Sequence, residues 1–191
     1  MARKKISDLR RTELIEAVID ATHEHSFAAL TVAQIAEFAQ TSTGSIHYYF
    51  GGKDALLAAT MRHLLDRLKV VTIERLVKAT TPRERLDAIV LANFDDAFFS
   101  KKSCSVWVQF WAMAPYSEPL ARLQVLNQSR VRSNLLHALK QIVPANQASQ
   151  CCTAIQTYMD GIWLRSCQTG IAVDAGKSQQ DAMTFLDRLL V

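Results

Sequence analysis

Proline and glycine are scarce, 4 and 6 of 191 residues, and they fall between periodic apolar segments rather than inside them. No segment sustains the two-residue alternation of a half-buried strand, and no internal repeat is visible, so an all-α chain is expected. No apolar run approaches the roughly 18 residues that a membrane-spanning helix needs. The basic N-terminus passes at once into a polar amphipathic pattern, unlike a secretory leader, so a cytoplasmic location with no membrane partner is expected. The cysteines stand at 104, 151, 152 and 167 without a C-x-x-C pair. Neighbours such as Cys151 and Cys152 diverge on a helix, so reduced, partly buried thiols are expected and no metal site. The five histidines, at 23, 25, 47, 63 and 137, join no G-x-S-x-G, phosphate loop or H-E-x-x-H. No enzyme, catalytic residue or cofactor is expected.

What remains is an ordinary globular composition, 49% hydrophobic and 21% charged, with its charge in one place. Residues 1–11 carry Arg3, Lys4, Lys5, Arg10 and Arg11 against Asp8 alone, which accounts for the whole net charge of +4. A basic arm on a neutral body suits a phosphate backbone or an anionic membrane surface, and a solvated tail has the same composition.

Apolar periodicity predicts a first helix with Leu14, Ile15, Val18 and Ile19 on its stripe, ending near His25. Short helices are expected from Thr31 and from Ser42, the second stopping before Gly51-Gly52. Leu57, Met61, Leu64, Leu68 and Val71, spaced by four and three, predict a long connector from Lys53 to about Ala79. Pro82 suits a first turn, and the pattern then continues through Phe99. It breaks at Ser100 to Ser103 and resumes from Cys104 to Ala114. After Pro115 to Pro119, with Ser117 as N-cap, a helix is expected to run to Val143, where Pro144 stops it. Another is expected from Asn146 to Thr169, with Gly170 as its stop, and a last one capped by Ser178.

The pair of short helices carries the main functional reading. Thr31 and Gln34 have the spacing of a capping box, and Leu30 and Ile35 that of a hydrophobic staple. Ile35, Ala36 and Ala39 offer a small face against which a second helix packs closely. After Gln40 and Thr41, Ser42 caps a helix with Ile46 and Tyr49 on one side. Small or hydrogen-bonding residues occupy the other. A major-groove reader needs this division, although two ordinary short helices of a bundle share it.

The block S-T-G-S-I-H-Y-Y-F-G-G-K-D-A-L-L, Ser42 to Leu57, resembles the recognition helix and following turn of the TetR family. Thr31-Val-Ala-Gln-Ile-Ala resembles the start of that family's preceding helix. The resemblance implies an N-terminal three-helix DNA-binding domain with a helix-turn-helix, residues 1–55, and a larger C-terminal helical ligand-binding and dimerisation bundle, residues 56–191. It implies that Thr43, Gly44, Ser45, His47 and Tyr48 face double-stranded operator DNA, that Tyr49 lies near the backbone and that Lys53 grips a phosphate. Thr31 joins this DNA-contacting set, and Arg3, Lys4 and Lys5 could reach along the backbone or into the minor groove. Gln40 stands where the family usually has glycine and Thr41 where it has valine. Either Gln40 accepts a left-handed conformation at a cost of about 1 kcal/mol, or the turn is shaped differently. His47 replaces a common tyrosine, so base preference does not carry over.

Asn93-Phe94-Asp95-Asp96, Trp107-x-x-Phe110-Trp111-Ala112 and Asp160-Gly-Ile-Trp-Leu-Arg165 are similar to segments of one TetR subfamily, the choline-responsive repressors of glycine-betaine synthesis. Trp107, Phe110 and Trp111 share a helical face, as do Asp160 and Trp163. Such a stripe is either a packed core or, with a carboxylate, a cage for a quaternary ammonium. The candidate ligand-binding set is Phe94, Asp95, Trp107, Phe110, Trp111, Tyr116, Asp160 and Trp163, with a small cation, choline, as effector. Asp160 amid apolar neighbours should be paired, ligand-facing or at an interface; Arg165 is an alternative partner within the helix or across a dimer. In this family the two C-terminal helices form a homodimer interface. A regulator of an efflux pump for lipophilic cations is the alternative, and pocket volume would discriminate.

Overall fold

The computed structural model describes the backbone of residues 2–168 and 170–190 and the side chains of residues 7–168 and 170–190. It is built from α1 (Ala2–Glu24), α2 (Val32–Phe38), α3 (Thr43–Phe50), α4 (Lys53–Leu76), α5 (Pro82–Ala92), α6 (Lys101–Met113), α7 (Glu118–Leu139), α8 (Ala145–Ser166) and α9 (Ala175–Leu189). A 3-10 turn, Ala114–Tyr116, joins α6 to α7. No strand occurs among the described residues, as the missing alternation implied. None of the helices is long and apolar enough to cross a membrane among the described residues.

Two of the expected caps, Thr31 and Ser42, start their helices. Thr31 accepts from the Gln34 amide at 3.2 Å while the Gln34 side chain accepts from the Thr31 amide at 2.9 Å. Leu30 and Ile35, the staple pair, are both buried. The same reciprocal device starts α5: Thr81 accepts from the Glu84 amide at 3.1 Å, and Glu84 accepts from the amides of Thr80 and Thr81 at 2.7 and 3.0 Å. These bonds satisfy amides that a helix start leaves without partners.

Gln40 adopts the left-handed conformation, φ 48°. Its amide bonds to the Glu37 carbonyl at 3.0 Å and the Thr41 amide to the Ala36 carbonyl at 2.9 Å. That is the Schellman pattern, which normally recruits glycine. Two closing hydrogen bonds offset the strain of a side chain there.

Several boundaries differ from the sequence expectation. The helix expected through Phe99 stops at Ala92, because Asp95 organises a turn. Its carboxylate accepts from the Ala97 amide at 3.1 Å, and its carbonyl from the amides of Phe98 and Phe99 at 2.8 and 2.7 Å. Phe94, Phe98 and Phe99 are still buried, so an apolar spacing that looks helical belongs to a packed loop. Helix α6 starts at Lys101, not Cys104, because Ser100 caps it by accepting from the Ser103 amide at 3.2 Å. Helix α9 starts at Ala175 because Asp174 accepts from the Lys177 amide at 2.8 Å; Ser178 instead donates back to the Asp174 carbonyl. Ser117 precedes α7 without capping it through its side chain. Helix α4 stops at Leu76, α7 at Leu139 and α8 at Ser166, each short of expectation. The basic arm is the start of α1 rather than an extended tail.

One continuous core runs from Leu14 on α1 to Leu186 on α9. Helix α1 packs on α2, α4 and α6, and α3 fits between α2 and the start of α4. Helix α7 packs on α4, α5 and α8, while α6 lies on α8. The ammonium of Lys101, at the start of α6, donates to the carbonyls of Ser166 (2.8 Å), Gln168 (2.7 Å) and Ile171 (3.3 Å), so one side chain closes the end of α8. Cys104, Cys151 and Cys152 are buried, Cys167 is half-buried, and none of the four forms a disulfide.

Candidate functional site

Helix α3 is anchored by Ile46, which is fully buried, with Tyr49 and Phe50 half-buried beside it. Ser42 caps it, accepting from the Ser45 amide at 3.2 Å. Arg11 of α1 donates to the Tyr49 carbonyl and sets its guanidinium 4.4 Å from the centre of the Phe50 ring, fixing the end of α3 from behind.

The opposite face is open. Thr43, Gly44, His47 and Tyr48 are exposed, Tyr48 by 77%. Ser45 is half-buried and bonded to Thr41 and Ser42 at 3.0 and 3.1 Å. A Cβ added at Gly44 would meet only the Ser42 hydroxyl, at 3.6 Å. Internal packing therefore does not require glycine there; an outside surface approaching closely would. The Tyr48 and Tyr49 rings meet edge-on at 5.0 Å. Thr31 is exposed at the start of α2 and engaged in its capping box. Lys53 is half-buried and turned inward: its ammonium lies 3.4 Å from the Ala28 carbonyl and 5.0 Å from the Phe27 ring centre. The side chains of Arg3, Lys4 and Lys5 lie outside the described residues.

A cavity of about 410 Å³ lies between α6, α7, α8 and the loop before α6. Four aromatics form one corner of it. The Trp163 ring stands 5.2 Å from Phe98 and 5.4 Å from Trp107, and Trp111 lies 6.5 Å from Trp107. Asp160 lies in the same lining. Its side chain is exposed, yet the protein packed around it partly desolvates the carboxylate and raises its pKa above the ordinary 3.8. No described cation pairs with it, Arg165 included. Gln124, Asn127 and Gln128 of α7, with Gln156 of α8, supply neutral amides. The arrangement offers aromatic faces and one carboxylate in a largely apolar recess, which suits a cation that cannot donate a hydrogen bond.

Four of the eight expected ligand residues meet here: Trp107, Trp111, Asp160 and Trp163. The other four do not. Phe94 is fully buried against Phe99, and its carbonyl accepts from Gln179 at 2.8 Å. Asp95 is held by Arg75 at 2.5 and 3.1 Å and faces α4. Phe110 is buried behind Trp107. Tyr116 is 90% exposed beside Asp54 and Leu57. Phe98, Met159 and the amides escaped sequence reasoning. The spacing of Gln124, Asn127 and Gln128 by three and four marked one polar face of α7 and could have drawn attention to it.

Helix α6 joins the two regions. Between Trp107 and Trp111 it projects Gln109 the other way, where the side-chain amide donates to the Thr22 carbonyl at 3.0 Å and accepts from the Phe27 amide. Phe27 is the ring on which Lys53 rests.

Residues 14–60 match the family described as bacterial regulatory proteins, tetR family, and residues 82–191 match the BetI-type transcriptional repressor, C-terminal. A relative named HTH-type transcriptional regulator BetI, from Burkholderia ambifaria, is 37% identical over 191 residues, covering 100% of this chain and 98% of its own. A putative transcriptional regulator from Pseudomonas aeruginosa PAO1 superposes with a TM-score of 0.80 at 23% identity, covering 95% of this chain and 90% of its own. A putative transcriptional regulator from Saccharomonospora viridis, solved in complex with choline, superposes with a TM-score of 0.77 at 17% identity, covering 93% and 95%.

Proposed function

The chain belongs to the TetR family and is a transcriptional repressor of the BetI type, and from that premise we propose that choline, bound in the aromatic cavity, controls its hold on operators of glycine-betaine synthesis genes. Regulators of this family are not enzymes; they bind operator DNA and small effectors, typically as dimers. Residues 1–55 are the reading head, with Thr43, Gly44, Ser45, His47 and Tyr48 toward the major groove. Thr31, Tyr49, Lys53 and the basic start of α1 serve the phosphates. Lys53 swings from the Ala28 carbonyl to do so. Residues 56–191 hold the effector and pair two copies through α8 and α9, so that the two heads meet successive major grooves about 34–36 Å apart. The cytoplasm, where the operators are, is its place of action.

One observation carries the effector assignment: an unpaired carboxylate, Asp160, shares a cavity with Trp107, Trp111 and Trp163. Each cation–π contact there contributes about 0.5–2 kcal/mol, depending on how dry the site is. Movement of α6 about a bound cation shifts Gln109 and with it the end of α1 and the turn carrying Phe27. Choline acts only through its different affinity for the two head spacings, so operator DNA weakens choline binding by the same factor.

The cavity volume supports a second reading. About 410 Å³ lies within the range of roughly 300–1,000 Å³ of sites that hold drug-sized ligands, and choline alone leaves room for water on the amides. A bulkier lipophilic cation, with control of an efflux pump, fits the same charge and aromatic pattern. Isothermal titration of the full chain with choline, with glycine betaine as the carboxylate-bearing control, decides between them. Saturable choline binding that is lost in Trp111→Ala and Asp160→Asn supports osmoprotectant control. Absence of binding up to millimolar choline overturns it and favours the larger cation.

A further inference from the structure

A second cavity, about 340 Å³, opens between α4, α5 and α7. Its floor is apolar: Leu65, Leu68 and Ile89 are buried there. Its rim is cationic. Lys69 of α4 and Arg130 of α7 line it and are exposed, and neither makes an ion pair among the described residues. No aspartate or glutamate lines it. The aromatic cavity has the opposite sign, with Asp160 as its one charged lining residue. The two share a wall, since Asn93, Asn127 and Val131 line both.

We propose that this second cavity binds an amphiphilic monoanion, a medium-chain carboxylate, with its tail on the apolar floor and its head between Lys69 and Arg130. Two unpaired cations on different helices above an apolar floor create a positive field that an anion relieves. The planar guanidinium matches a carboxylate in two-point fashion, and the ammonium adds a point charge on its other side. The tail leaves water for the floor, and each methylene buried there tightens binding by about fourfold. Asn134, also at the rim, provides a further donor. Because Leu65 and Leu68 of the floor belong to α4, which begins three residues after the recognition helix ends, a ligand seated here bears on the helix that positions the head. Nothing in this site depends on which cation occupies the aromatic cavity.

The test is isothermal titration of the full chain with decanoate, with decanol as the uncharged tail and acetate as the head alone, followed by choline in the same samples. Saturable decanoate binding at least about tenfold tighter than either control is expected. The Lys69→Gln/Arg130→Gln double variant should weaken decanoate by about tenfold or more, the loss of charge-assisted bonds, and should leave choline binding unchanged. Both residues are exposed, so the variant keeps the core. The proposal is overturned if decanoate fails to bind, if decanol binds as tightly as decanoate, or if the double variant binds decanoate like the parent. Choline binding without decanoate binding sinks this site alone; decanoate binding without choline binding sinks the choline assignment alone.

Discussion

Gln109 reaches from α6 to donate, over 3.0 Å, to the backbone carbonyl of Thr22 near the end of α1. The same helix turns Trp107 and Trp111 into the cavity. The aromatic cavity and the end of α1 are therefore separated by the thickness of one helix.

Replacing Gln109 by leucine keeps the side chain's bulk and removes its hydrogen bonds to Thr22, Phe27 and Ser105. Stability should fall by about 1–3 kcal/mol in urea unfolding, the cost of leaving partly buried backbone groups without partners. Choline affinity should stay within about twofold, because Gln109 does not line the cavity. Operator binding measured with and without choline should then show a much smaller difference than in the parent, where a coupling of about 5- to 150-fold is typical. An unchanged difference would remove Gln109 from the relay.

Gln40→Gly should stabilise the protein by up to about 1 kcal/mol. It relieves the left-handed strain at φ 48° while giving back some of that gain through the more flexible unfolded chain. The Schellman bonds use only backbone groups, so they survive. A urea midpoint that moves down would mean that the Gln40 side chain does something favourable that its backbone geometry does not reveal.

Glu84 is held well below its ordinary 4.5, at about 2, first by the Thr80 hydroxyl and then by the amides of Thr80 and Thr81. A carboxyl with a depressed folded pKa contributes stability that is fully present above its unfolded value and is lost as pH falls through the folded one. The contribution should therefore fade between about pH 4.5 and pH 2. Carboxyl NMR should place the Glu84 midpoint near the lower figure, and Thr80→Ala should move it upward.

Asp160 shifts the other way. Partial desolvation raises its pKa above 3.8, and among the described residues it is the one titratable group in the cavity lining. A quaternary ammonium favours the ionised carboxylate, so choline affinity should increase with pH through the Asp160 titration and level off above it. Bound choline should in turn lower the Asp160 pKa. Asp160→Asn should abolish the slope, and titrations across that pH range would show a flat profile in the parent if the carboxylate does not meet the cation.

Local features were legible in the sequence because their causes are local. The capping box at Thr31, the staple of Leu30 and Ile35, the Ser42 cap and the strained Gln40 all arise from residues within a few positions of one another. The segment Asn93 to Ser100 defeated periodicity, since Phe94, Phe98 and Phe99 have helical spacing but are buried from a loop that Asp95 organises. The cavity was half legible. Trp107, Trp111, Asp160 and Trp163 announced themselves by residue type, whereas Phe98 joins them only through the path of that loop. The pairing of Gln109 with Thr22 and Phe27 spans more than eighty positions, and no spacing rule reaches so far. Lys53 turned toward Ala28 is a conformational choice, and composition is silent on those.

The single ammonium of Lys101, seated on three carbonyls at and just beyond the end of α8, ties the start of α6 to the finish of α8. These two helices carry the aromatic walls of the cavity, Trp107 and Trp111 on one and Trp163 on the other. Their walls are thus jointed like a pair of tongs, pivoted at Lys101. A guest that parted them would have to displace the far end of α6, where Trp111 stands, together with the 3-10 turn that follows it, so the larger the guest, the more of the path into α7 must give.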